Sequence, residues 1–497
     1  MFPKSLKEIQ VDWPAPDHVP PALKVNLQWA MGMQPNDLVD PYEPCAWLSG
    51  TDVPPLLYNA ANPDPHAGGG VTAGGQRGTW IVSHYADINR VYSDNDFFSN
   101  KGTAEFQRMI GETFRSIPLA IDPPEHSKYR LFLMPHFSPS RLNKMMDDIR
   151  AVCVDMIEAV RKDGEVDIAY DFGRVFPVKI FMSLMGFPAE NFDRFLEWEW
   201  NILHGESMEK TAWALRSVLD YLRAFIAEKE ANPDDGLVSS IVHGKIEGKS
   251  LTDDEKIGMV WFLWLGGLDT VAATISQMFR RMALQPEIQT MLKNDPSLIN
   301  GAVEEFLRTQ PILNTGRRAH KDFEWHGMQI KAGDSFMALN VAGNFDPTRF
   351  ANPREFDPTR KGNRHFTLVG GVHSCLGGHL ARRELRMLLE TWFRMIPGEF
   401  RVMKYPMYSY GFGSLSIPAN RFQLDQNYIR LYQDGMIHIG KTVYVGPGYR
   451  LDYHWNIVQN RPDSIKTDYD RYGYTRIAVS SGLAFNLVQD NRNNPIN

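Results

Sequence analysis

The sequence predicts a mainly α chain with a smaller β-rich region and a β-rich C-terminal extension. Apolar residues recur at helical spacing between Leu142 and Val160. Further helical patterns fill three stretches, 174–231, 253–283 and 298–309. Strand signals cluster at 322–340, where short apolar runs lie between turns.

The N-terminal part carries few regular signals. Residues 1–78 are rich in proline and glycine and are predicted to form loops with short elements. Residues 79–83 look like a strand, a short helix begins at Tyr85, and 99–120 is irregular.

The tail after about residue 424 differs in character from the rest. It carries hairpin signals, with Asp434-Gly435 ahead of two short apolar runs, and it holds no cysteine. We therefore predict one domain over residues 1–424 and a C-terminal extension of unknown role over residues 425–497.

Composition excludes several classes of protein. The 497 residues carry a net charge of −6, which argues against nucleic acid as the main partner. The three cysteines are too few for a disulfide framework and favour a reducing compartment. The N-terminus lacks the apolar run of a signal peptide, and no segment looks apolar and uncharged for long enough to span a bilayer. We therefore expect a cytoplasmic protein with no membrane segment.

The most informative residue is Cys375. It lies in a glycine-rich loop, 366–377, directly before an amphipathic helix that runs to about Arg394. A thiolate in that place can ligate a haem iron, and the glycines let the backbone approach a flat macrocycle. Two alternatives remain: a buried core thiol, and a zinc site with His373 and His379, which lacks a second cysteine pair.

A second motif interrupts the long apolar helix predicted at 253–283. Gly266 and Gly267 each cost about 1 kcal/mol relative to alanine in a helix interior, so something needs the space. Asp269 and Thr270 follow. One interpretation is close helix packing with a threonine bonded to a carbonyl. The other is a widened groove for a diatomic ligand, with Asp269 and Thr270 relaying protons.

Three shorter motifs are ambiguous when taken alone. Glu305 and Arg308 share a helix face at i, i+3, as many surface pairs do. Pro123-Pro124 begins a helix on which His126 and Arg130 share a face, and Arg317 follows Gly316. Such cations could bind carboxylates such as haem propionates, or could form an ordinary solvated face.

Together, in their order and approximate spacing, these motifs resemble the cytochrome P-450 family. The resemblance covers roughly residues 20–424 and is closest to soluble bacterial members similar to the camphor hydroxylase group. It implies a mainly α fold with a smaller β-rich region, haem b as the cofactor, and a haem domain over 1–424.

The resemblance also implies roles for single residues. Cys375 would be the thiolate and metal ligand, and Asp269 with Thr270 the proton-delivery pair. Glu305 and Arg308 would form a structural ion pair beneath the cysteine loop. The remaining cofactor-binding positions would hold the propionates: His126, Arg130, Arg317 and His373.

The chain departs from the family pattern at three positions. Leu368 and Val369 stand where the family usually has Phe-Gly. Glu355 falls where a basic third member of the Glu-Arg network is usual; Arg354 could substitute, or the network could be rearranged. The tail has no counterpart in the pattern.

The implied activity is insertion of one oxygen atom from O2 into a C–H bond. Phe114 stands where the camphor enzyme has a tyrosine that bonds a ketone, and a phenyl ring cannot donate that bond. We therefore expect a small apolar substrate, such as a terpenoid. The other predicted pocket residues are Phe262, Leu265, Leu313 and Phe412.

Electrons must come from other proteins, because no cysteine follows Cys375 and no iron–sulfur domain is fused to the tail. We expect a separate ferredoxin and ferredoxin reductase, docking near Arg130. Two alternatives keep the haem: a peroxide-driven peroxygenase, and a haem-thiolate binding or sensor protein without turnover.

Overall fold

The computed structural model describes residues 4–27, 43–60, 78–163, 166–204 and 207–396, together with the backbone of five strands in the tail. The helices of these ranges are labelled in chain order: α1 (Leu6–Ile9), α2 (Tyr85–Ser93), α3 (Glu125–Leu133), α4 (Pro139–Asn143), α5 (Met146–Asp163), α6 (Val175–Met185), α7 (Phe192–His204), α8 (Met208–Ala231), α9 (Leu237–His243), α10 (Asp253–Leu284), α11 (Pro286–Asn294), α12 (Ile299–Thr309), α13 (Asn340–Gly343) and α14 (Gly378–Met395).

The strands before the tail belong to one mixed sheet and two hairpins. They are β1 (Lys24–Val25), β2 (Leu56–Asn59), β3 (Thr79–Val82), β4 (Phe98–Ser99), β5 (Lys245–Ile246), β6 (Lys249–Ser250), β7 (Thr315–Ala319), β8 (Phe323–Trp325), β9 (Met328–Ile330) and β10 (Ser335–Ala338). The mixed sheet has the order β1-β2-β3-β10-β7-β4, in which β1/β2 and β3/β10 are parallel pairs. The hairpins are β5/β6 and β8/β9.

Helix α10 is the central element of the main core. Its N-terminus is fixed by a capping box, in which Thr252 and Glu255 satisfy each other's backbone N–H groups. Buried side chains from α5 to α12 and from α14 pack around it. By length and composition alone α10 could cross a membrane, contrary to the expectation from the sequence. Within its most apolar stretch of 18 residues, however, 56% is buried in the protein, as is usual for a core helix.

The mixed sheet has a smaller core of its own. Side chains of β2, β3 and β10 pack there against Ile88, Val91 and Tyr92 of α2. Helix α2 also lies against the cysteine loop, where the rings of Phe366 and Tyr92 meet edge to face with centroids 5.5 Å apart. The sheet therefore supports one side of the loop that carries Cys375.

The tail is described as backbone only. Its strands are β11 (Val402–Ser409), β12 (Phe422–Asp434), β13 (Ile437–His438), β14 (Val443–Asn460) and β15 (Ile477–Gln489), all paired antiparallel in one sheet. Strand β12 crosses the predicted boundary at 424/425. The division into a domain over 1–424 and an extension over 425–497 stays a prediction.

Candidate active site

The cysteine loop is held in shape by its own backbone. The N–H of Cys375 donates to the carbonyl of Leu368 at 2.9 Å, which closes the loop ahead of α14. Gly371 has a φ of +64°, and a Cβ there would lie 1.9 Å from the Tyr92 carbonyl oxygen. This glycine is therefore required by the packing of the loop on α2.

The Cys375 side chain lies deep in the fold but is accessible. Burial raises the pKa of its thiol, while backbone N–H donors from Gly377 and Gly378 and the charges of Arg130 and Arg382 act in the opposite direction. The residue is nevertheless exposed. The sulfur is therefore accessible although many protein atoms lie around it.

Two histidines lie on one side of the site with unsatisfied ring nitrogens. The rings of His126 on α3 and His373 in the cysteine loop have centroids 4.3 Å apart. Neither ring nitrogen of His126 has a hydrogen-bond partner among the described residues, and Nε2 of His373 has none there either. Burial, followed by nearby positive charge, lowers the pKa of His126 to about 4 and that of His373 to about 2. Both rings are therefore neutral at pH 7.

Two arginines supply the positive charge of the same region. Arg317 on β7 is 5% exposed, and within the described part of the chain its Nη2 has no partner. Arg130 lies on α3. Burial lowers the pKa of its guanidinium, while the negative charge of a Cys375 thiolate would raise it. Buried donors without acceptors are costly, so this cluster fits a ligand that carries carboxylates.

These observations agree with a haem. An accessible sulfur and a neighbouring cluster of buried donors match the iron and the propionates of that group. The zinc alternative finds no such match: in the described ranges no group of three or more His, Cys, Asp or Glu side chains could hold a metal ion.

The paired glycines of α10 serve two different purposes. A Cβ at Gly267 would lie 2.3 Å from the Phe181 ring, so this glycine lets α6 approach α10. A Cβ at Gly266 would meet nothing within 4 Å, and the residue is exposed in mid-helix. The close helix packing expected from the sequence is found at Gly267. Gly266 borders open space, and its role in a groove for a diatomic ligand stays a prediction.

Thr270 points back along the helix. Its Oγ1 donates to the carbonyl of Gly266 at 3.1 Å, at the point where α10 borders open space. Asp269, its neighbour, acts electrostatically on Glu199 of α7. The hydroxyl therefore lies at an opening in the helix, and burial, followed by the charge of the neighbouring acid, raises the pKa of a carboxyl group that the sequence did not suggest.

Glu305 and Arg308 form a fully buried, bidentate ion pair. Arg308 Nε and Nη2 donate to the two carboxylate oxygens at 2.7 and 2.9 Å, and both side chains are 0% exposed. Arg308 Nη1 also donates to the carbonyls of Asn344 and Pro353. The pair ties α12 to the segment that leads to the cysteine loop.

The third cation of this network is Arg360. Its Nε donates to Glu305 Oε1 at 3.1 Å, while the side chain of Glu355 accepts from Asn352 instead. The sequence left two possibilities for the basic residue missing at Glu355, substitution by Arg354 or a rearranged network, and Arg360 is the cation that lies against Glu305. No spacing rule indicated Arg360, because the turn at Asp357 folds it back onto Glu305.

Val369 occupies a backbone conformation that suits glycine. Its φ is +60°, which is unfavourable for a β-branched residue. We expect the Val369→Gly variant to be more stable than Val369→Ala by about 1 kcal/mol in free energy of unfolding. Both variants lose the valine methyl groups, but only alanine keeps a Cβ, which is strained at this φ. Denaturant unfolding of the two variants measures the difference, and the reverse order would contradict the strain.

The predicted pocket residues lie in different surroundings. Phe114 is 3% exposed and belongs to the main core, whereas Leu313 is 52% exposed. Phe262 and Leu265 on α10 are half-buried. Phe412 lies outside the described residues. The role of all five as a substrate pocket stays a prediction.

Comparison with known proteins identifies the family. A family model described as cytochrome P450 matches residues 201–402. Probable cytochrome P450 127A1 of Sinorhizobium fredii is 34% identical over 392 residues, which cover 78% of this chain and 91% of that protein. Steroid C26-monooxygenase of Mycobacterium tuberculosis is 33% identical over 332 residues, covering 65% of this chain and 88% of that protein.

Solved structures of cytochromes P450 have the same fold as this chain. The crystal structure of CYP101J2 aligns with a TM-score of 0.67 at 28% identity, over 82% of this chain and 96% of that one. CYP101C1 aligns with a TM-score of 0.66 at 27% identity. The mainly α fold and the haem b cofactor expected from the sequence are confirmed. The chain therefore belongs to the cytochrome P450 family and is a monooxygenase of that family.

Proposed function

We propose that this enzyme hydroxylates a small apolar substrate, such as a terpenoid. The observation that supports this most directly is the apolar character of the predicted pocket residues: Leu265, next to Gly266 on α10, is half-buried, and Leu313 is 52% exposed. No described hydrogen bond involves the side chain of Phe114, which as a phenyl ring offers no donor to a polar substrate. A relative is named for steroid oxidation, which is also chemistry on an apolar skeleton.

A substrate screen tests this proposal. Terpenoids and related small molecules that displace water from the iron should change its spin state, which is visible in the absorption spectrum. Polar amino acids and sugars serve as the negative set. A response to the polar set alone would overturn the proposed substrate class.

When bound, haem supplies the activation of O2 at its iron. The residues of the chain would bind the haem and deliver protons. Cys375 would hold the iron, and the donors of His126, Arg130, Arg317 and His373 would hold the two propionates. Asp269 and Thr270 would deliver protons into a space from which the surrounding core excludes bulk water.

The Thr270→Ala variant tests the proton role. Because the hydroxyl is lost from the opening at Gly266, we expect haem binding to be kept while product formed per O2 consumed falls by about tenfold or more, with peroxide released instead. The measurement compares O2 uptake, peroxide and product in one assay.

Thr274→Ala is the matched control. Thr274 lies one turn further along α10, where its hydroxyl donates to the carbonyl of Thr270 at 2.8 Å. This variant loses the same hydroxyl from the same helix and should remain coupled. Full coupling in Thr270→Ala would refute the assigned role.

Two other haem-based functions are separated by simple assays. A peroxygenase would turn over with peroxide alone at the full rate, and would have no use for Asp269 and Thr270. A binding or sensor protein would give no product when electrons are supplied. We favour O2-dependent turnover because the acid and hydroxyl lie at the opening in α10.

We infer that electrons arrive from a separate ferredoxin and its reductase. A groove lined by Arg150, Arg382, Arg383 and Arg386, with His379 and fewer acids, borders α14, the helix that follows Cys375. Ferredoxin surfaces are commonly acidic, so the arginines of this groove, and Arg130 on α3, suit such a partner. Reduction by an acidic ferredoxin should therefore slow as ionic strength rises.

We also propose a cytoplasmic location.

A further inference from the structure

A continuous series of aromatic rings leads outward from α10, and the roles assigned above do not use it. It begins with Trp261 and Trp264, whose rings stack with centroids 5.9 Å apart. Trp264 meets Phe195 of α7 edge to face, again with centroids 5.9 Å apart. Phe195 in turn meets Tyr221 of α8 edge to face at 5.1 Å. A single ring therefore separates the indole of Trp264 from the phenol of Tyr221.

Trp198 on α7 gives the series a second connection. Its ring centroid lies 5.8 Å from that of Phe195 and 5.8 Å from that of Tyr221. These five side chains are called the aromatic row below: Trp261, Trp264, Phe195, Trp198 and Tyr221. All of them except Tyr221 are buried, and Tyr221 is half-buried. The row therefore connects the buried side of α10 to the surface at α8.

The indole nitrogen of Trp264 indicates more than packing. A buried indole N–H usually has a hydrogen-bond acceptor, as in Trp261, whose Nε1 donates to Gln107 Oε1 at 3.1 Å. Trp264 Nε1 is buried and has no partner among the described residues. If Trp264 loses an electron, no acceptor takes its indole proton. The oxidised side chain then stays a strong oxidant and draws an electron from the next oxidisable ring.

Tyr221 is suited to be the outer end of such a path. Burial, opposed by the charge of Arg194, raises the pKa of Tyr221 to about 12, so the phenol carries its proton at neutral pH and loses it on oxidation. Tyr221 lines a cavity of about 380 Å³ between α7 and α8, together with the exposed acids Glu197 and Asp220. A cavity of this size admits a small molecule, and the carboxylates can accept a proton.

The inner end of the row lies close to the haem site. Trp264 precedes Gly266 by two residues, or about 3 Å along the axis of α10. Gly266 is exposed in mid-helix, and Thr270 Oγ1 donates to its carbonyl at the same opening. The monooxygenase activity produces an oxidant from O2 there. When no substrate is bound, oxidisable side chains near the opening become its targets.

We propose that the aromatic row carries electrons inward from the surface cavity and so protects the enzyme when no substrate takes the oxygen. For each oxidising equivalent, Trp264 gives one electron to the haem site and regains one from Tyr221. As Tyr221 loses that electron, its phenolic proton passes to Glu197, Asp220 or solvent. A soluble thiol then returns a hydrogen atom to Tyr221, and two of the resulting thiyl radicals combine as a disulfide. The inference goes beyond the proposed substrate class and does not depend on it.

The first test locates the radical instead of measuring product. The holoenzyme receives electrons and O2 but no substrate and no thiol, in the presence of a nitroso spin trap, and peptide mass spectrometry finds the labelled residues. We expect the label on Tyr221 and not on Tyr170, although Tyr170 is 45% exposed and Tyr221 is less so. An oxidant that diffuses through solvent would favour Tyr170. Any pattern without Tyr221, or with as much label on Tyr170, would overturn the proposal.

The second test breaks the row at its inner end. Trp264→Phe keeps an aromatic ring in the core but removes the oxidisable indole, so the label on Tyr221 should be lost. Trp392→Phe is the matched control, because Trp392 is also buried in the main core, where its ring packs on Phe172 and Phe279. This control should keep the label. An unchanged label in Trp264→Phe, or an equal loss in both variants, would contradict the path.

The third test leaves the core intact and reads haem bleaching without substrate. Tyr221→Phe should bleach several times faster than the wild type, and added thiol should slow bleaching in the wild type but not in this variant. Tyr170→Phe makes the same change at an exposed ring and should behave as the wild type. Equal bleaching of Tyr221→Phe and the wild type would refute the protective role, while the proposed substrate class and the role of Thr270 would stand.

Discussion

Replacing Cys375 by serine is expected to abolish monooxygenase activity and the absorption of a thiolate-ligated haem. A serine hydroxyl stays protonated at neutral pH and cannot donate electron density to the iron as a thiolate does. The loop geometry should survive, because it depends on the backbone hydrogen bond from the Cys375 N–H to the Leu368 carbonyl, which serine keeps. The measurements are haem content, the absorption spectrum and product formation.

Cys153→Ser is the control for the same chemical change. Cys153 is fully buried on α5, and burial raises the pKa of its thiol to about 12, so it stays a thiol. This variant should lose some stability, about 1–3 kcal/mol, yet keep the spectrum and the activity. Equal behaviour of the two serine variants would contradict the ligand role of Cys375.

Arg308→Ala is expected to cost the protein about 3–5 kcal/mol of unfolding free energy, because it leaves Glu305 buried without its bidentate partner. Arg360 still reaches Glu305 Oε1, at 3.1 Å, but the carbonyls of Asn344 and Pro353 lose their donor. Since these contacts hold the segment before the cysteine loop, we also expect weaker haem retention. Denaturant unfolding and haem release measure the two effects.

Arg386→Ala provides the comparison for stability. Arg386 and Glu390 form an exposed pair at i, i+4 on α14. Such pairs contribute about 0–1 kcal/mol, so the variant should unfold close to the wild type. A similar small loss in Arg308→Ala would show that the buried network is not needed for the fold.

Much of the fold was readable because its signals are local. The pattern at 253–283 predicted α10, observed at Asp253–Leu284, and its capping box lies in the sequence at Thr252 and Glu255. The strand at 79–83 and the helix from Tyr85 are observed as β3 and α2. In each case, residues close in sequence determine the element.

The rest of the site depends on contacts between distant segments. Arg360 completes the Glu305 network through a turn, and the charge of Asp269 acts on Glu199 only because α7 packs near α10. The positive φ of Val369 is equally invisible in the sequence, where valine argues against it. Such features follow from tertiary packing, for which a single sequence gives no spacing rule.

The central claim is that the Cys375 thiolate ligates a haem iron. Its most direct test is the absorption of the reduced, carbon monoxide-treated holoenzyme. We predict a Soret band at the long wavelength typical of thiolate-ligated haem, lost in Cys375→Ser and kept in Cys153→Ser. A band at the shorter wavelength typical of histidine-ligated haem in the freshly prepared wild-type protein would contradict the account.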